Sequence, residues 1–253
     1  SGTDQPEYFD ISYEGVTFAY GHTPVLKNVA FSVPEKTTTA LVGLSGSGKT
    51  TIINLLARFW EPQRGDIRIG GKSLKALAYD NLLKSLSFVF QDAVLFQDTV
   101  FNNLRIGKPS AGMEEVVAAA KRARCHEFIM QMECGYDTVL GEGGTKLSGG
   151  EKQRLAIARA LVKDAPIVLL DEMTANMDVE NEVKVQQALR ELLKDKTVIM
   201  IAHKLSTVKN ADQILVLEDG TISQRGTHFE LLAQEGLYQR LWNIQYKAER
   251  WHF

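Results

Sequence analysis

The chain has 253 residues, 44% of them apolar and 24% charged, with 29 Lys and Arg against 31 Asp and Glu and a formal net charge of −2. That size suits one large domain or two lobes in close contact, and the near-neutral balance gives no electrostatic reason to expect nucleic acid as a partner. Cys125 and Cys134 have no metal-ligand spacing and form no disulfide framework, which points to packing roles in a reducing compartment, and no apolar run reaches the ~18–20 residues that cross a bilayer.

The polar start lacks the basic-then-apolar order of a signal peptide. Ser1-Gly2-Thr3 reads as an added leader, so the chain is expected to be a piece excised from a longer protein. Residues 9–20 alternate apolar and polar side chains (Ile11, Tyr13, Val16, Phe18) and predict a strand with a turn at Gly15. Strands over 25–33 and 37–42, separated by Pro34-Glu35-Lys36, imply an antiparallel sheet feeding a central strand.

That central strand runs into Gly43-Leu44-Ser45-Gly46-Ser47-Gly48-Lys49-Thr50, a G-x-x-x-x-G-K-T run followed by Thr51 and the periodic stretch 52–59. This is a phosphate-binding loop. Its glycines let backbone N–H groups turn inward on a phosphate chain, and the following helix adds its positive N-terminal end. Lys49 is placed to reach the β- and γ-phosphates and the Thr50 hydroxyl to hold Mg²⁺.

The helix ends at Glu61-Pro62-Gln63-Arg64-Gly65, and a short strand over 66–69 follows. From about 80 to 133 the pattern turns helical, with Val116, Val117, Ala120 and Ala123, then Phe128, Ile129 and Met132. We read a helical subdomain inserted at about 81–159 into a core made of 1–80 and 160–253. A glycine-rich loop over 135–150 leads to a helix over 151–162, an apolar strand over 167–170, a helix over 179–193 and a strand over 198–202. That order is the order of a doubly wound sheet. Residues 213–217 and 221–224 make a hairpin about Asp219-Gly220, and the tail 228–246 is predicted helical. The fold class is α/β: a P-loop NTPase core with a mixed, largely parallel sheet, an antiparallel β subdomain and an inserted α-helical subdomain.

The run Ile167-Val168-Leu169-Leu170 ends in Asp171-Glu172, at the end of a buried strand where ligands meet an open α/β sheet. Alone, such an ending is more often structural. Beside a phosphate loop, Asp171 becomes the Mg²⁺ partner, directly or through water, and Glu172 is placed to orient and deprotonate the attacking water. Leu147-Ser148-Gly149-Gly150-Glu151-Lys152-Gln153-Arg154 offers a second anion site, made by the Ser148 hydroxyl and the amides of Gly149 and Gly150 at a helix start.

With that segment in place the sequence closely resembles the ATPase domain of the ATP-binding cassette family, over essentially the whole chain. The resemblance implies that Tyr20 stacks on adenine and that Gln91 touches Mg²⁺ and the lytic water and couples to a membrane domain. It implies further that His203 contacts the γ-phosphate and that Asp178, in Ala175-Asn176-Met177-Asp178, lies in a loop crossing a dimer interface. Two such domains close head to tail, each ATP lying between the phosphate loop of one and Ser148-Gly149-Gly150 of the other. Hydrolysis would then power a membrane transporter from the cytoplasmic face. Met173 replaces a usual alanine and Asn176-Met177 a usual Ser/Ala-Leu pair, both beside the water-activating position; the carboxylate is retained and activity is expected.

Residues 90–103, 138–144 and the tail from Gly226 to Tyr238 are similar to exporter-type half-transporters, in which a six-helix membrane domain precedes the ATPase on one polypeptide. Residues 88–109 and the ending 248–253 also resemble bacterial transporters of iron–siderophore complexes, some of which import. Repair-type cassette ATPases carry a long heptad-bearing insertion, and translation-type ones carry two cassettes and a basic linker; the sequence has neither. A nucleotide-binding regulatory module would tolerate loss of Glu172 or His203, and a small-molecule kinase would leave residues 147–153 unexplained.

Overall fold

The computed structural model describes residues 5–141, 144, 146–171 and 177–250, the side chains of 248–250 excepted. In chain order the elements are β1 (Ile11–Phe18), β2 (Leu26–Val33), β3 (Thr38–Gly43), α1 (Lys49–Leu56), β4 (Arg64–Ile69), β5 (Lys72–Ser73), α2 (Tyr79–Ser85) and β6 (Leu86–Val89). Then come α3 (Val100–Arg105), α4 (Met113–Arg122), α5 (His126–Met130), α6 (Gly149–Lys163), β7 (Ile167–Asp171) and α7 (Val179–Leu193). The chain closes with β8 (Thr197–Ile201), β9 (Gln213–Glu218), β10 (Thr221–Gly226), α8 (His228–Leu232) and α9 (Leu237–Arg250). These elements cluster into two compact units, one from Ser1–Leu86 with Asp195–Phe253, the other from Ser87–Lys194.

In the first unit an antiparallel sheet runs in the order β2-β1-β4-β5. Ile11, Tyr13, Val16 and Phe18 are all buried, although the first two are odd-numbered and the last two even. A strand of strict period two could not bury both pairs. The register against β2 shifts between Tyr13 and Val16, with Gly15 at φ +62°, and this bulge turns the second pair back to the core. Tyr13 stacks on Phe31 with ring centroids 4.4 Å apart, and its hydroxyl donates to the Ile52 carbonyl at 2.8 Å, pinning the sheet to α1.

The second sheet of this unit is built on β3, which pairs parallel with β8 on one side and β9 on the other. Its residues Ala40, Leu41 and Val42 are at most 1% exposed, as expected for a strand covered on both faces. The hairpin β9-β10 turns at Asp219 (φ +48°) and Gly220 (φ +79°), the two positive-φ positions that the Asp-Gly pair predicts.

In the second unit β6 and β7 are neighbours and α6 is the central helix, packed by α3, α4 and α7. Leu155, Ile157, Ala158, Leu161 and Val162 bury more than one face of α6, so it reads as a core helix rather than an amphipathic one. Because α6 lies along α7, this unit runs to Lys194 and includes β7, beyond the insertion expected at about 81–159.

Three local readings are corrected. The stretch from 80 to 133 is not continuously helical, because Leu86-Ser87-Phe88-Val89 forms β6, too short a run to display a period. The first helix begins at Lys49 rather than 52, directly from the glycine loop. The tail is two helices: Gly236 lies where a Cβ would sit 2.4 Å from the Gln224 side chain, and the chain turns there before α9. Among the described residues no helix is long and apolar enough to cross a membrane.

Candidate functional site

The phosphate loop springs from the buried end of β3. Gly48 occupies the cap position of α1 at φ +108°, a conformation closed to ordinary side chains, and supplies no side-chain acceptor to the first turn. The N–H groups of that turn are therefore offered to an anion. Lys49 is 6% exposed, and its ammonium donates to the carbonyls of Gly43 at 2.8 Å and Leu44 at 2.9 Å and lies 3.4 Å from Ser47 Oγ. Ser45 and Gly46 are exposed at the loop tip and Thr50 is exposed one residue into the helix.

Leu44, Ser45, Gly46, Ser47, Leu217, Glu218 and Asp219 line a cleft of about 170 Å³. Small-molecule sites usually span about 300–1,000 Å³. The cleft's lining is the loop itself and residues 217–219, the part of the site suited to phosphates; Tyr20 lies outside that lining.

Tyr20 stands beside the loop, 49% exposed, with its hydroxyl 3.2 Å from Thr51 Oγ1. Thr51 is buried in this bond, which leaves Thr50 as the outward hydroxyl of the pair. Phe18 and Trp60 meet Tyr20 edge-on, at 4.8 and 5.3 Å between centroids. Trp60 was not singled out from the sequence; its signal is a large aromatic just past the end of α1 that stays 50% exposed. His203 follows β8, where the Ala202 N–H donates to the Leu41 carbonyl at 3.1 Å, and its side chain is exposed.

In the second unit Ser148 starts α6 through a capping box. Its Oγ accepts from the Glu151 N–H at 3.2 Å, and the Glu151 carboxylate accepts from the Ser148 N–H at 2.8 Å. Ser148 and Gly149 are exposed, whereas Gly150 is buried. A Cβ on Gly150 would stand 2.8 Å from that of Asn181, while one on Gly149 would meet no described atom within 4 Å beyond its chain neighbours and its own helix backbone.

Asn181 is held on two sides. Arg154, 5% exposed and packed over the Phe128 ring, donates to Asn181 Oδ1 at 3.2 Å. Asn181 in turn donates to Asp178, from its N–H at 3.0 Å and from Nδ2 at 2.7 Å. Asp178 thereby caps α7, and these bonds hold its carboxyl below the ordinary range. Gln91 is exposed, with its carbonyl 3.4 Å from Gln153 Nε2 on α6, and Asp171 is half-buried at the end of β7.

The structure brings Tyr20, Thr51 and the loop together, and separately Ser148, Gly149, Gly150 and Asp178. Glu172, together with Met173, Ala175 and Asn176, lies outside the described residues.

A family model described as ABC transporter matches residues 26–175. The chain is 45% identical over 240 residues to the ATP-dependent lipid A-core flippase of Syntrophus aciditrophicus, which is 95% of this chain and 40% of that protein. It also matches a solved structure of a bacterial Atm1-family ABC exporter with ATP bound, with a TM-score of 0.89 and 41% identity over 97% of this chain and 44% of the exporter's. The chain therefore spans less than half the length of these relatives. With the phosphate loop and the Ser148 segment both inside the region matched, this chain is a member of the ABC transporter family.

Proposed function

We propose that this chain is an ATPase domain that binds ATP with Mg²⁺, pairs head to tail with a second such domain, and hydrolyses ATP to power translocation by a membrane transporter. The observation that carries the reading is Gly149. It is exposed, its φ is not among the positive ones, and among the described residues no atom beyond its chain neighbours and its own helix backbone lies within 4 Å of where a side chain would begin. Among the described residues no packing contact calls for a glycine there. A phosphate brought onto its amide by a second molecule supplies the requirement, at the positive end of a 15-residue helix.

The roles follow from chemistry. Gly43, Ser45, Gly46, Ser47 and Gly48 shape the cradle for the phosphate chain, the Ser47 N–H exchanging its 3.2 Å bond to the Leu44 carbonyl for phosphate, and Lys49 likewise exchanges two loop carbonyls for phosphate oxygens. Tyr20 turns its exposed ring to adenine. Ser148, Gly149 and Gly150 are the half-site given to the partner, and Asp178 faces the same partner. The Thr50 hydroxyl, the Gln91 carboxamide and the Asp171 carboxylate are hard oxygen donors of the kind Mg²⁺ takes. When bound, the ion neutralises charge on the phosphates. Glu172 takes the proton of the attacking water, Gln91 orients that water, and His203 donates to the γ-phosphate. The membrane-spanning part is proposed to lie upstream on the same native polypeptide, with this domain on its cytoplasmic face. The relatives' extra length supports that arrangement.

Glu172→Gln in the full-length transporter tests the reading. Hydrolysis should fall at least ~100-fold, as for loss of a general base, while ATP-dependent pairing persists and outlasts that of the wild type. Wild-type turnover in this variant, or ATP-bound protein that stays unpaired, overturns it.

A further inference from the structure

His203 sits between two supports. On the β8 side, the Ala202 N–H bond to Leu41 continues the parallel pairing with β3. On the other side the chain enters a single 3₁₀ turn over Leu205–Val208, whose cap residue Lys204 gives it no side-chain bond. The first N–H groups of any such turn need an acceptor from elsewhere.

Gln245, on α9 and 40 residues further along the chain, supplies it. Its Oε1 accepts from the Leu205 N–H at 2.8 Å, and its Nε2 donates to the His203 carbonyl at 2.7 Å. One planar carboxamide thus grips the backbone on both sides of Lys204, with one donor and one acceptor at fixed separation. A two-point grip of this kind removes the rotation that a single bond would leave.

The helix that carries Gln245 is itself anchored. Tyr238 is fully buried, with its hydroxyl 2.7 Å from His228 Nδ1. Trp242 packs on the His228 ring at 4.6 Å, and the Lys209 ammonium lies 4.9 Å from the Trp242 ring. Lys209 directly follows the 3₁₀ turn, so α9 holds this segment at two places. A mere tail would need neither.

We infer that Gln245 is a positioning residue for His203: it fixes the peptide after His203 so that the imidazole is presented to the γ-phosphate in one place. The inference rests on the proposed role of His203. It makes α9, which carries no phosphate-binding motif, part of the hydrolytic apparatus.

The test uses the full-length transporter in membranes, with His203→Ala, Gln245→Ala, the double variant and Gln245→Glu. Gln245→Ala should lower kcat about tenfold, the scale of one or two lost positioning bonds, with KM for ATP within about twofold. The double variant should turn over no more slowly than His203→Ala alone, because Gln245 acts only through that side chain. Gln245→Glu keeps the acceptor for Leu205 and the shape of the side chain but cannot donate to His203. It should show the same fall in kcat even if Gln245→Ala is too unstable to assay. An unchanged kcat in Gln245→Glu, or a double variant slowed by the product of the two single effects, overturns the inference and leaves His203 in its role. Wild-type turnover in His203→Ala overturns the role of His203 first, and the inference with it.

Discussion

Adjacent glycines in the Ser148 segment should respond to alanine in opposite ways. A Cβ on Gly150 would come within 2.8 Å of Asn181 Cβ and Cγ and 2.9 Å of its Oδ1. Asn181 cannot step aside freely, because it bonds Arg154 at 3.2 Å and Asp178 at 2.7 Å. Overpacking of this kind costs about 1–3 kcal/mol, offset by up to ~1 kcal/mol from replacing glycine in a helix. The net loss of up to about 2 kcal/mol, centred on about 1, lowers Tm by up to roughly 8 °C in a domain this size, about 3 °C at the centre. Gly149→Ala meets no described atom beyond its own turn, gains part of the helix term, and should leave Tm unchanged or raised by ~2 °C. On the proposed reading, its methyl would crowd a phosphate approaching the amide. Loss of a preorganised anion donor is worth about 100-fold or more in rate. Calorimetry of the 253-residue chain and ATP hydrolysis by the full transporter separate the two effects. A Gly149→Ala variant with wild-type turnover, or one less stable than Gly150→Ala, would refute this reasoning.

Tyr20→Ala should weaken ATP about tenfold, within the ~1–3 kcal/mol of base–aromatic stacking, and leave inorganic tripolyphosphate unaffected. Titration calorimetry with both ligands checks it, and equal losses would contradict the stacking role. For His228, burial first and the nearby Lys209 charge second hold the imidazole below its ordinary value. The folded state then binds fewer protons than the unfolded one as pH falls past about 6.5. Stability from this group is fully present above that pH and is lost below it. Tm measured from about pH 8 down to 5 should decline below ~6.5, and His228→Gln should flatten that decline.

Much of the fold was legible because its signals are local. The G-x-x-x-x-G-K-T run specifies a backbone that only its own residues can adopt, and Gly48 adopts it at φ +108°. The Asp219-Gly220 pair set its hairpin for the same reason. The slip of parity between Tyr13 and Val16 even encodes the bulge in β1, although alternation alone read it as a turn at Gly15. What escaped was pairwise and distant. Strand β6 has four residues and gains its identity from a neighbouring strand rather than from a period. The partners of Gln245 lie 40 and 42 residues away, and nothing in the sequence around Gln245 distinguishes it from a solvated glutamine on a surface helix.

The same contrast explains why the site can be found in a chain without ligand. A buried polar group satisfied by its own chain reports on folding, whereas an outward group whose form the chain does not need reports on a second molecule. Lys49 belongs to the first kind: it is 6% exposed and bonded to two loop carbonyls, so on the proposed reading its cation is already in position and would only exchange acceptors. Gly149 is assigned to the second kind: it is exposed at the start of α6, with no described side chain within 4 Å of where its own would begin beyond its chain neighbours. The loop cleft of about 170 Å³ has room for phosphates, and Ser148 lines a cavity of about 660 Å³ that it shares with Arg124, Arg154 and Lys184. On the proposed reading, the phosphate loop of one domain and the Ser148 helix start of a second would each supply part of the grip on a triphosphate.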